Sequence, residues 1–297
     1  MLSMQAQAKL RDPSYFTLHL QAAAAIREVG QLRWYDSHFL RRVEIAKRYL
    51  AKVRPDALAT FLDGFSPLKP SQSFRETLID DVFDRATCDT IIEISRAAKP
   101  DPSRRQAKEN ADFGRDVLWN IPYFLDLQEQ VRGRIAQIVG QPLVSSYNFL
   151  SLYGASGKCG LHMDHPLAMY TFDYCIEQDA VWPIHISRTI EWATQEETAV
   201  FNPDRIIADP QMGFAEHLLR PNQALLFNGS SQWHYRNPKT SGGFCNLLFF
   251  HYYPEGCDDL VDPRRWAEHF PIDELEPLCD LFNDPRDDGL GDASPNR

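Results

Sequence analysis

The sequence predicts an α+β fold: an N-terminal helical region, then a β-rich core built as an antiparallel sandwich or jelly roll with supporting helices. Three observations predict it. Helical periodicity fills residues 15–63 and returns over 85–98 and 123–140. After Gly140-Gln141-Pro142, short β-branched and aromatic runs alternate with Gly, Pro, Asn and Asp. Helices come first and strands afterwards, which is segregation rather than βαβ alternation.

Taken in order, Ala22–Ala25 is a run of the best helix former. Over Tyr35–Val53, apolar residues recur at Phe39, Leu40, Val43, Ala46, Tyr49, Leu50 and Val53, with basic residues between them. Arg54-Pro55 ends that helix, because proline restricts the residue before it. A shorter helix is expected over Asp56–Leu62, and Ser66–Ser71 reads as a boundary loop. Phe74–Asp84 is expected to be a strand running into a turn, Arg85–Ala98 a helix, and Lys99–Asn110 a polar, mobile loop. Tyr123–Gly140 is helical through Leu125, Val131, Ile135 and Ile138. Strands are expected at Val144–Tyr153, Tyr170–Ile176, Trp182–Ile186, Ala199–Phe201, Arg205–Ile207, Gln223–Phe227 and Phe244–Tyr253. The domain reading is therefore a helical region over 1–70, a core over 71–257 and an acidic, loop-rich extension over 258–297, with a disordered tail from Asn283.

Composition narrows the function. The 297 residues suffice for a sizeable core, and 43% hydrophobic content is that of a folded soluble chain. The net charge of -10 disfavours nucleic acid as a partner, since phosphate binding wants a basic face. None of the six cysteines forms a CxxC pair, so they read as reduced, mostly buried thiols. No apolar run is long enough to span a membrane, and the first residues lack a secretory apolar region. Together these predict a cytoplasmic protein without membrane or nucleic-acid partners; oligomeric state is left open.

The chemistry concentrates in His162-Met163-Asp164, a His-x-Asp triplet after a strand-like run and a Gly-containing turn. On extended backbone, alternation places the imidazole and the carboxylate on one face and Met163 on the other. The third ligand is expected on a later strand. His234 is the best placed of the nine histidines, following the apolar run Leu225–Phe227 and the turn at Gly229. Two histidines and one carboxylate on one side of a metal form a facial triad, which leaves positions open for oxygen and a co-substrate. His165 reads as a solvent-facing loop residue, and His185 and His251 as core residues. Trp233 and Tyr235 flank the predicted ligand as core aromatics, and Arg104, Arg105, Lys108 and Arg115 read as a solvated basic run.

These pieces resemble the Fe(II)/2-oxoglutarate-dependent dioxygenases, most nearly their prolyl-4-hydroxylase-like branch. The resemblance covers about residues 74–255 and rests on Tyr147, Tyr153, Gly157, His162 and Asp164, on the entry Thr77–Phe83, on Trp182–Ile186, and on the closing pieces Ser231–Pro238 and Leu248–Tyr252. It implies a double-stranded β-helix core with Fe(II) held by His162, Asp164 and His234. It further implies 2-oxoglutarate and O2 as co-substrates, and hydroxylation of an unactivated C–H bond in an amino-acid-like, peptidyl or secondary-metabolite substrate. Asp164 fills the ligand position that a small residue would leave for a halide, which favours hydroxylation or desaturation over halogenation. The family usually anchors the far carboxylate of 2-oxoglutarate with a basic residue about ten positions after the last histidine. That position is near Phe244, and no basic residue occurs between Lys239 and Arg264. A buried carboxylate still needs a cation or several donors. Arg236 is the first candidate and Arg188 the second, with neutral hydrogen bonds from Tyr147, Tyr153 and Asn246. Two rivals stand beside this reading: an Fe(II) oxidase with the same triad and no 2-oxoglutarate, and a non-catalytic β-helix binding protein.

Overall fold

The computed structural model describes residues 8–30, 38–71, 73–100, 102–192, 202–240 and 242–282. In chain order, helices α1 (Pro13–Gly30), α2 (His38–Val53) and α3 (Leu58–Asp63) precede strand β1 (Thr77–Ile79). Next come α4 (Arg85–Ala97), α5 (Arg104–Phe113), β2 (Arg115–Trp119) and α6 (Pro122–Val139). The β-rich stretch holds β3 (Leu143–Tyr153), β4 (Cys159–His162), β5 (Tyr170–Gln178) and β6 (Ile184–Ile186), then α7 (Pro203–Ala208), β7 (Ala215–His217), β8 (Ala224–Phe227), β9 (His234–Arg236) and β10 (Cys245–Pro254). Helices α8 (Asp258–Val261), α9 (Trp266–His269) and α10 (Glu276–Phe282) close the described chain. No helix among the described residues is long and apolar enough to cross a membrane.

The chain divides into two compact units. One takes its described residues from Met1–Lys69, Trp192–Phe201 and Glu255–Arg297. Its centre is aromatic: Phe39, Phe61 and Phe65 pack edge-on against Trp266, with ring centroids 5.2–5.8 Å apart. The Tyr49 hydroxyl donates to the Glu274 carbonyl at 2.7 Å, tying α2 to the C-terminal segment.

The other unit, Pro70–Glu191 and Asn202–Pro254, is the β core. Among the described residues its strands form a six-stranded sheet, in the order β1-β8-β5-β10-β3-β2, and a four-stranded sheet, β4-β9-β6-β7. The pairs are antiparallel. Side chains alternate along each strand, so every second residue turns to the interior. Val117, Phe149, Leu225, Phe227, Leu247 and Phe249 from the large sheet thereby meet Trp182, Ile184 and Ile186 from the small-sheet side in one core. Strand β10 is buried along nearly its whole length. Part of its second face lies under α6, where Tyr252 donates to the Gln128 carbonyl at 3.0 Å and the Gln128 side chain donates to the His251 carbonyl at 2.9 Å.

Three local expectations are corrected. The stretch expected as a mobile loop carries α5, because Ser103 caps it by accepting from the Gln106 amide and Gly114 ends it at φ +65. A Cβ at Gly114 would also lie 2.5 Å from the Ser156 carbonyl oxygen. The strand expected over Arg205–Ile207 is instead the short helix α7, started by Asn202 as cap and Pro203 in its first turn. The extension from Asp258 is not loop alone but carries three short helices. The strand expected at Ala199–Phe201 and the tail from Asn283 lie outside the described residues; in Ala199–Phe201, Phe201 falls there with its neighbours.

Candidate metal centre

Strands β4 and β9 pair antiparallel at the edge of the four-stranded sheet, with His162 directly opposite His234. Their ring centroids are 4.1 Å apart. Asp164 follows just beyond β4, and its amide donates to the Gly229 carbonyl at 2.8 Å, which pins it to the turn that leads into β9. Asp164 Oδ1 lies 3.6 Å from His162 Nε2 and 3.6 Å from His234 Nε2. The three ligand atoms fall within 4.8 Å of one another. Thus sheet register sets two of the groups, and one backbone hydrogen bond sets the third.

The neighbours of these side chains decide which atoms face the centre. His162 Nδ1 contacts the Gly160 carbonyl at 2.8 Å, and His234 Nδ1 contacts the Gln232 carbonyl at 3.0 Å. A carbonyl can only accept, so each Nδ1 carries a proton and each Nε2 is the atom left to face a metal. Thr171 donates to Asp164 Oδ2 at 2.9 Å, which leaves Oδ1 as the oxygen that could bind a metal. Burial would raise the Asp164 carboxyl, but the facing rings of His234 and His162 outweigh it and hold it well below the usual carboxylate range. Burial would lower His162, yet Cys159 and Asp164 push it up to about 10. This pocket favours a positive charge, and a divalent cation would displace the His162 proton. Two imidazoles and one carboxylate, each oriented from behind, fit Fe(II) or a similar borderline ion.

Gly229 is where the chain comes closest to these groups. A Cβ there would lie 2.4 Å from Asp164 Oδ2 and 2.5 Å from both the Ala168 carbonyl and Thr171 Oγ1. Gly229→Ala is therefore expected to displace Asp164 and to weaken Fe(II) binding by about 10–100-fold, the cost typical of losing a group that orients a ligand. Anaerobic equilibrium dialysis with iron measures this. Unchanged affinity would show that the turn does not set the carboxylate.

Stacked rings from β3 and β10 lie within electrostatic reach of Asp164. Tyr147 stacks on His251 with centroids 4.3 Å apart, and Phe149 stacks on Phe249 at 4.7 Å. Burial pushes His251 down to about 4, so its ring is neutral near neutral pH. Of the five residues expected to hold a co-substrate, three face this interior. Tyr147 is one of these stacked rings, and Tyr153 packs edge-on against Trp182 at 4.8 Å. Arg236 is also inside, but it is bound to its surroundings: Nη2 donates to Asp173 at 2.6 Å and Nη1 to the Trp182 carbonyl at 2.5 Å.

The other two are elsewhere. Asn246 lies between the buried Cys245 and Leu247, so alternation turns it to the outer face, where it donates to Glu177 at 3.1 Å. Arg188 lies beyond the end of β6, is exposed, and donates to the Gln211 carbonyl at 2.6 Å. His165 is half-buried and caps a short turn by accepting from the Leu167 amide at 3.0 Å. Sequence reasoning missed Thr171, whose role depends on β5 lying beneath Asp164. It also misread Arg115, which is mostly buried on β2 rather than solvated.

No protein-family model and no curated protein matches this chain. Among solved structures the chain is similar to HygX from Streptomyces hygroscopicus with nickel and 2-oxoglutarate bound: 13% identity, 66% of this chain and 87% of that one, TM-score 0.48. It is also similar to SnoN, a non-haem α-ketoglutarate-dependent epimerase from nogalamycin biosynthesis: 14% identity, 70% and 87% coverage, TM-score 0.45. A third is a Pseudomonas putida prolyl-4-hydroxylase: 14% identity, 67% and 99% coverage, TM-score 0.42.

Proposed function

We propose that the chain is a non-haem Fe(II)- and 2-oxoglutarate-dependent oxygenase whose two facing antiparallel sheets form a double-stranded β-helix core. The reading is that it hydroxylates an unactivated C–H bond of an amino-acid-like, peptidyl or secondary-metabolite substrate. The observation that carries it is the convergence of His162 Nε2, Asp164 Oδ1 and His234 Nε2. Bound by these three groups, Fe(II) supplies the redox chemistry that couples oxidative decarboxylation of a 2-oxo acid to oxidation of a C–H bond.

The protein residues have more modest tasks. Gly160 and Gln232 carbonyls fix the two imidazoles, and Thr171 fixes the carboxylate. Tyr147, Phe149, Phe249 and His251 wall the interior with stacked rings, which excludes water from the reacting groups. The supporting experiment is anaerobic loading with Fe(II), followed by 2-oxoglutarate and air. Succinate release that rises when the substrate is supplied is the expected result. A fully iron-loaded protein that consumes no 2-oxoglutarate with any substrate of these classes would overturn the reading.

A further inference from the structure

A dicarboxylate co-substrate leaves one carboxylate away from the metal, and a buried anion needs a cation with free donors. Two arginines of the described core face the interior. Arg236 is matched by Asp173, and both of its terminal nitrogens are engaged. Arg115 is different. It stands on β2 directly across from Tyr153 of β3. Its side chain is 12% exposed, Nε donates to Glu109 of α5 at 2.8 Å, and Nη1 donates to the Tyr153 hydroxyl at 2.8 Å. The rings of Phe113, Phe149 and Tyr153 surround the guanidinium at 4.5–5.5 Å. The Nη2 edge has no hydrogen-bond partner among the described residues.

A second orphan group lies beside it. Ser151 is fully buried on the same face of β3 as Phe149 and Tyr153, and its Oγ lies near the Tyr153 hydroxyl without a hydrogen bond of good geometry. A buried, unsatisfied hydroxyl costs stability unless something meets it. The depth also suits a ligand that starts at the metal. Cys159 pairs with Arg236 two residues further along β9 from His234, about 7 Å along the strand. Trp182 meets both Arg236 and Tyr153 at that level. A five-carbon dicarboxylate held by its 2-oxo acid end at His162, Asp164 and His234 spans a comparable length.

The geometry points to Arg115, with the hydroxyls of Tyr153 and Ser151, as the cradle for the remote carboxylate of the co-substrate. This rests on the oxygenase reading above. The cation thus reaches the site from β2, ahead of the metal ligands in the chain, and Glu109 holds its fork in plane while the Nη2 edge receives the anion.

The test compares two 2-oxo acids on anaerobic, Fe(II)-loaded full-length protein by titration calorimetry. One is 2-oxoglutarate. The other is 2-oxobutanoate, which has the same chelating end and no second carboxylate. Wild type is expected to prefer 2-oxoglutarate. In Arg115→Gln, 2-oxoglutarate binding weakens by about 10–100-fold, the loss of a charged hydrogen bond, while 2-oxobutanoate binding and iron content stay unchanged. Ser151→Ala and Tyr153→Phe lose the preference by about 2–10-fold each, and they carry the test if Arg115→Gln does not fold. Wild-type preference retained in all folded variants overturns the assignment and leaves the oxygenase reading intact. Iron-loaded wild type that binds neither acid overturns both.

Discussion

His234→Ala is expected to remove iron binding and abolish turnover while the chain stays folded. His234 is 5% exposed and is one of three groups around the centre. Its loss leaves Asp164 facing His162 alone, and the fall in iron affinity should exceed the roughly 100-fold upper range for losing an outer partner of a ligand. The fold should survive, because the imidazole's ring contacts are only Phe227 at 4.9 Å and His162 at 4.1 Å between centroids, and strand β9 keeps its pairing to β6 and β4. Iron per chain after anaerobic dialysis, together with succinate release, measures the effect. Iron retained at the wild-type level would mean that the ion sits elsewhere.

Asp173→Ala should be the most destabilising single change in the core away from the metal. Asp173 and Arg236 are 0% and 3% exposed at the side chain and 2.6 Å apart. Burial pushes the Asp173 carboxyl up, and Arg236 opposes that shift. Removing the carboxylate strands a guanidinium inside the sandwich, which costs about 3–5 kcal/mol. Against a typical total of roughly 5–15 kcal/mol, this is a large fraction. The pair is costly to break but not costly to replace. Asp173→Leu combined with Arg236→Met should recover most of the loss. Urea unfolding of the single and double variants measures both, and a single variant within about 1 kcal/mol of wild type would show that the charge finds another partner or water.

The sequence made some features legible and hid others for physical reasons. Periodicity located α4 and α6 because each buries one stripe of a surface helix, and it located α2 through its apolar spacing although that helix is buried on most sides. The convergence of His162 and Asp164 was readable because residues two apart on extended backbone share a face. His234 was readable because a strand, a glycine turn and an aromatic-flanked histidine recur where a partner strand must lie. Local sequence does not carry strand parity beyond an unseen strand end. That is why Asn246 was expected inside and Arg188 on a continuing strand. The fate of Arg236 depends on Asp173, 63 residues away, and could not be read from its own surroundings. Arg115 looked like part of a solvated basic run until β2 paired with β3 and carried it inward. The absence of a basic residue near Phe244 was visible, but which cation another strand brings inward depends on pairing that local sequence does not encode.

The His162–His234 pairing also has a consequence for folding. β4 is an edge strand, and its pairing to β9 is irregular between Cys159 and His162. Short irregular edge strands are the parts of a sheet that open first. An ion gripped across this pair binds the native register and not the open one, so its binding free energy adds to the local stability of β4 by mass action. A slip of one residue would turn His162 to the opposite face. The metal would therefore act as a cross-strand rivet that selects one register of the strand presenting it, making iron supply a folding variable for this edge as well as a condition for chemistry.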